Sequence, residues 1–123
     1  MHLTQVAQRA EDLDRAAAFY ERLLASPPVA RFDPPGLLFF DLDGTRLLLD
    51  RAAPSSLLYL AVDDVRRATE ELRATGVRVV TEPHVIFEDH EGLLGPARTA
   101  EWMAFIEDSE GNTVGLVSRH PPA

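Results

Sequence analysis

The chain of 123 residues contains no cysteine, which excludes disulfides, thiolate metal sites and a cysteine nucleophile together. It has no lysine either. All twelve cationic side chains are arginine, so a Schiff base on a lysine amine is excluded. No basic run offsets the formal net charge of −8, and that balance disfavours nonspecific binding to nucleic acid or anionic membranes. No apolar run approaches the roughly 20 residues that span a bilayer. The opening residues lack the basic start and unbroken apolar core of a signal peptide, since Gln5, Gln8 and Arg9 interrupt them. These absences lead to the expectation of a soluble cytoplasmic protein.

What is present is a repeat. Hydrophobic residues at 46% and charged ones at 26% are ordinary globular values. The length suits one domain, residues 1–123, burying somewhat more than about 60% of its unfolded surface. Within it, Leu3-Thr4-Gln5-Val6-Ala7-Gln8 followed by Asp12-Leu13-Asp14-Arg15 is answered by Leu57-Leu58-Tyr59-Leu60-Ala61-Val62 followed by Asp64-Val65-Arg66-Arg67. Asp41-Leu42-Asp43-Gly44-Thr45 is answered by Asp108-Ser109-Glu110-Gly111-Asn112. A period of roughly sixty residues exceeds a solenoid unit and marks a duplicated module.

Each copy reads as strand, helix and three strands. Residues 3–10 alternate, with Leu3, Gln5 and Ala7 on one face and Thr4, Val6 and Gln8 on the other. Asp12 is an N-cap, and Leu13, Ala16, Ala17, Tyr20, Leu23 and Leu24 fall on one helical face. Pro27-Pro28 stops that helix, and short strands follow over residues 29–32, 37–42 and 46–50. Residues 52–56 form the linker between module one (1–51) and module two (57–119). In the second module Asp63 or Asp64 caps a helix with Val65, Ala68 and Leu72 inward, and Gly76 suits a left-handed cap. A strand from Val77 runs on toward Phe87; a loop over residues 88–100 and strands over 101–106 and 113–118 complete the copy. The expected fold class is α+β: two βαβββ modules forming a curled mixed sheet around a concave pocket, helices outside.

Gln5-Val6-Ala7, Asp12-Leu13-Asp14-Arg15, Phe19-Tyr20, Val62-Asp63-Asp64-Val65, Thr75-Gly76-Val77 and the run Phe105 to Asn112 carry a resemblance. The chain resembles the vicinal oxygen chelate superfamily, which includes glyoxalase I, extradiol dioxygenases and bleomycin-resistance proteins. The resemblance implies a divalent metal held by four side chains: one on the first strand of each module, usually His or Gln, and one on the last strand of each, characteristically Glu, which would stand at Gly115 in the second module. Carried over by position these are Gln5, Leu57, Leu48 and Gly115. Only Gln5 has a donor atom, and a divalent ion needs three or more. A register error in the last strand of module one would present Asp50, two positions beyond Leu48 on the same face, and two donors are still short. The expectation is therefore no metal and no other cofactor.

Other residues are site candidates. His84 suits a general base near neutrality. Glu101 is a candidate acid–base partner for it. His90 among Glu88, Asp89 and Glu91 reads as a solvated loop. In residues 101–105 either Trp102 and Ala104, or Glu101, Met103 and Phe105, face inward; Trp102 is the one aromatic suited to stacking on a planar ligand. The reading that results is a metal-independent binder of a small organic molecule, resembling bleomycin-resistance proteins. It takes the form of a homodimer without nucleic-acid or membrane partners, and its ligand is lined by Gln5, Leu48, Leu57, His84, Trp102 and Gly115. The alternative is a metal-dependent lyase, isomerase or dioxygenase of the glyoxalase type with an atypical site drawn from Gln5, Asp50, His84 and Glu101.

Overall fold

The two copies of the repeat build two four-stranded sheets of identical order. The computed structural model describes residues 1–121; residues 122 and 123 of the expected 1–123 domain lie outside the described residues. The first copy comprises β1 (Gln5–Arg9), α1 (Leu13–Leu24), β2 (Ala30–Phe32), β3 (Leu37–Leu42) and β4 (Thr45–Asp50). The second comprises β5 (Leu58–Ala61), α2 (Val65–Ala74), β6 (Val79–Asp89), β7 (Thr99–Glu107) and β8 (Thr113–His120). Their sheets run β1-β4-β3-β2 and β5-β8-β7-β6. In each, the opening strand pairs in parallel with the last one, and the other neighbours are antiparallel. The expected βαβββ plan is thus present twice.

Strand alternation sorts every side chain to one of two faces. In the first sheet Leu38, Phe40, Leu47 and Leu49 are buried on the face that carries α1, whose Leu13, Ala16 and Tyr20 are buried in turn. The Tyr20 ring lies 6.1 Å from that of Phe40. Full burial of each such large apolar side chain is worth about 1.5–3 kcal/mol, so this layer is the main stabilising element of the unit. In the second sheet Ala104, Ile106, Val114 and Leu116 are buried on the face that carries α2. Val65 and Thr69 are the buried residues of α2; Thr69 satisfies its hydroxyl on the Val65 carbonyl at 2.6 Å.

The chain divides into two compact units: Met1–Ser56 with Asp108–Asn112, and Leu57–Glu107 with Thr113 onward. The main stretch of the first unit ends at Ser56. The turn 108–112 groups with the first unit although it joins β7 to β8. The reason is a polar knot. Asp108 is 5% exposed and accepts from the Tyr20 hydroxyl at 2.6 Å and from the Glu110 and Asn112 amides at 2.8 Å each. Asn112 Nδ2 donates to the Arg9 carbonyl, and Glu110 Oε1 accepts from the Glu11 and Asp12 amides at the start of α1. Burial first, and the neighbouring Asp108 carboxylate second, push the Tyr20 hydroxyl far above its usual pKa.

Candidate functional site

The four positions where the resemblance puts chelating residues all lie on, or in alternation with, the sheet faces that carry no helix. In the first unit Gln5 stands opposite Arg46, and Ala7 opposite Leu48, with Phe39 on the far side of Leu48. Gln5 Oε1 accepts from Arg46 Nε at 2.9 Å. Leu48 is 8% exposed and sits at the centre of an apolar row. Phe32 and Phe39 continue it, edge to face with ring centres 6.0 Å apart. Asp50, two residues beyond Leu48 on this face, uses Oδ1 to accept from the Ala52 amide at 2.8 Å.

In the second unit Gly115 pairs with Tyr59 on one side and Phe105 on the other. The two rings meet edge to face over it, with centres 6.1 Å apart. A Cβ at Gly115 would lie 2.8 Å from Tyr59 Cδ1 and 3.1 Å from Phe105 Cε1. No real side chain tolerates the first distance, so a glutamate here requires the aromatic pair to move apart. Leu57 is half-exposed and precedes β5 in the alternation that puts Tyr59 on this face.

These residues do not fit a divalent ion. Leu48, Leu57 and Gly115 supply no donor, the Gln5 oxygen already accepts from a cation, and aromatic carbon fills the space beside Gly115. Among the described residues no cluster of three or more His, Asp or Glu side chains has metal-binding geometry. His90 is exposed and lies 3.7 Å from Glu88.

The remaining candidates separate. His84 stands opposite Met103 on the helix-free face of the second sheet, and its Nδ1 donates to the Glu82 carbonyl at 2.9 Å. Glu101 shares that face opposite Phe87, but its carboxylate accepts from Arg119 at 3.3 Å, and no His84–Glu101 hydrogen bond is formed among the described residues. Of the two orientations open for residues 101–105, the structure has Glu101, Met103 and Phe105 on the face of Gly115. Trp102 faces the other way, opposite Ser118. There the Arg66 guanidinium lies 4.7 Å from its ring centre, a cation–π contact between α2 and β7. His120 meets the same ring edge to face, at 6.4 Å.

Sequence reasoning missed the second unit's loop anchor. Asp89, 1% exposed, accepts from the Gly92, Leu93 and Leu94 amides and from Arg119 Nη1 at 2.8 Å. Burial works to raise its pKa, but the amides of Leu94 and Leu93 together with Arg119 outweigh it and hold the carboxyl at about 2. Its signal was an aspartate three residues before a glycine; the acidic neighbours concealed it. The Tyr59–Phe105 pair was also missed, because the strand that holds Tyr59 gives no hint of its partner.

The comparisons with known proteins agree with this architecture. A family model described as Glyoxalase/Bleomycin resistance protein/Dioxygenase superfamily matches residues 2–116. Among solved structures, a lactoylglutathione lyase from Agrobacterium tumefaciens is 22% identical with a TM-score of 0.69, over 94% of this chain and 92% of its own. A superfamily member from Sphaerobacter thermophilus DSM 20745 is 20% identical with a TM-score of 0.70, over 95% and 96%. One from Alicyclobacillus acidocaldarius is 18% identical with a TM-score of 0.65, over 94% and 89%. No curated protein matches significantly. With two βαβββ copies in the same strand order and a family match over nearly its whole length, the chain belongs to the glyoxalase/bleomycin resistance protein/dioxygenase superfamily.

Proposed function

We propose that this protein binds or sequesters a small organic molecule without a divalent metal. The observation that carries the reading is the Tyr59–Phe105 pair closed over Gly115, which puts aromatic surface where the family resemblance implies a carboxylate ligand. Tyr59 is half-exposed, so its ring is available for stacking on a planar ligand, with Met103 and His84 on the same face. On the family resemblance alone we take the working form to be a cytoplasmic homodimer. In this reading Leu57 forms part of the pocket wall, and the missing side chain of Gly115 leaves the space that the rings occupy.

The test is a thermal-shift screen of small aromatic compounds on EDTA-treated protein. A compound should raise Tm with EDTA present, and Tyr59→Ala should remove the shift while Tyr59→Phe keeps it. Elemental analysis after dialysis against Ni²⁺, Mn²⁺, Fe²⁺ and Zn²⁺ supplies the opposing outcome. Close to one ion per chain, lost on Gln5→Ala, would overturn the reading in favour of an atypical metal-dependent lyase, isomerase or dioxygenase.

A further inference from the structure

We infer that the helix-free face of the first sheet carries an anion-binding site built on Arg46 and oriented by Gln5, suited to a carboxylate or phosphonate joined to an apolar group. This goes beyond the binding reading and stands on the first unit alone. Among the described residues four arginines, Arg22, Arg46, Arg67 and Arg98, make no ion pair; the other eight of the twelve each reach a carboxylate. Of the four, only Arg46 lies in a sheet. In a chain of net charge −8, a strand arginine with no carboxylate within ion-pair distance among the described residues keeps its charge available to an external anion.

The side chain is held rather than loose. Its Nε donates to Gln5 Oε1 at 2.9 Å, across the parallel β1–β4 ladder. That bond fixes the plane of the guanidinium and leaves both Nη groups without an acceptor among the described residues. With the Gln5 oxygen so engaged, its amide nitrogen makes no hydrogen bond among the described residues and remains a further donor. The carboxylate directly across from Arg46 on β3 is Asp41, and it is engaged elsewhere: its Oδ1 accepts from the Gly44 amide at 3.0 Å within the turn. A planar fork with two free nitrogens matches a carboxylate or phosphonate in two-point contact, which a lysine in the same place would not. Beside the fork run Ala7, Leu48 and Phe39, an apolar row one residue pair further along the same face. A polar head with an apolar neighbour in register defines the ligand class: a small aromatic or aliphatic acid.

The probes are benzoate and phenylphosphonate, with benzamide as the neutral isostere, titrated into ¹⁵N-labelled protein in EDTA. Benzoate and phenylphosphonate should bind saturably and shift the Arg46 Nε–H resonance. Benzamide should bind about tenfold or more weakly, as expected for loss of one charge-assisted contact. Arg46→Gln should remove that discrimination. Gln5→Glu should remove it too, because the new carboxylate would occupy the fork; both side chains are exposed, so both variants should fold as the parent does. Arg46→Lys should keep charge preference with weaker binding. The inference is overturned if neither acid binds, if benzamide binds as well as benzoate, or if Arg46→Gln leaves the preference intact.

Discussion

The two copies of one repeat use the same closing turn for opposite ends. In the first copy Asp41 is exposed and its carboxylate makes a single local bond, to the Gly44 amide. In the second copy Asp108 is buried and holds four donors: the Tyr20 hydroxyl, two backbone amides and Asn112 Nδ2. The same contrast runs through the helix starts. Asp12 caps α1, and Glu110 from the turn takes two further amides while pairing with Arg15 at 2.7 Å. Asp64 caps α2, and there the additional acceptor is a hydroxyl, Ser118 Oγ, on the Val65 amide at 2.9 Å. An identical sequence device becomes a surface turn or a buried junction according to what packs against it. Position in the repeat does not decide its energetic weight.

The largest expected effect breaks this contrast directly. Asp108→Ala strands the Tyr20 hydroxyl and two backbone amides, and should cost about 3 kcal/mol or more in urea unfolding. Asp41→Ala should cost about 0.5 kcal/mol or less, as an exposed turn residue does. Equal losses would show that the two turns are energetically alike. Tyr20→Phe removes only the hydroxyl and should fall between them, at about 1–2 kcal/mol, with the rest of the Asp108 knot preserved.

The helix ends sharpen the comparison at a smaller scale. α1 ends on Ala25 at φ 53, and the residue after the α2 cap, Gly76, sits at φ 93. Ala25→Gly should stabilise by up to about 1 kcal/mol because it relieves a left-handed alanine. Gly76→Ala should destabilise by about 1 kcal/mol, on backbone grounds alone since nothing lies within 4 Å of the added Cβ. Thermal unfolding of the two single variants reads both signs.

A final, local effect is set by pH. Asp89 binds its proton at about 2 in the folded chain, below the ordinary aspartate value near 4. Its contribution is thus fully present above about pH 4 and is lost as pH falls toward 2. Amide exchange of Gly92, Leu93 and Leu94 should accelerate across that window, and Asp89→Asn should show fast exchange at neutral pH. Unchanged exchange in the variant would mean that the loop is held by something other than this carboxylate.

Periodicity made the fold legible. Alternation in residues 3–10, the Asp-led apolar helices and the two Asp-x-x-Gly turns sufficed for βαβββ twice, and the chosen faces of β1 agree with the structure. Boundaries moved by a few residues where tertiary pairing extended a strand: β6 runs to Asp89 and β8 to His120, because each has a neighbour to pair with. The site was less legible. Gln5, Leu48 and Gly115 share a class of face, as their spacing required. Trp102, by contrast, lies under Arg66 on the helix side. One-residue parity decides such a question, and both parities of residues 101–105 present apolar side chains.

The sequence by itself determined the duplicated topology, the helix caps and the scarcity of donor atoms at the chelating positions, since local spacing and side-chain chemistry suffice for each. Only tertiary structure decided that rings fill the space at Gly115, that Glu101 answers to Arg119 rather than His84, and that Arg46 has no carboxylate partner among the described residues. Those outcomes depend on which strands lie side by side. A side chain's partner across a sheet is set by register, and register comes from packing of the whole buried face.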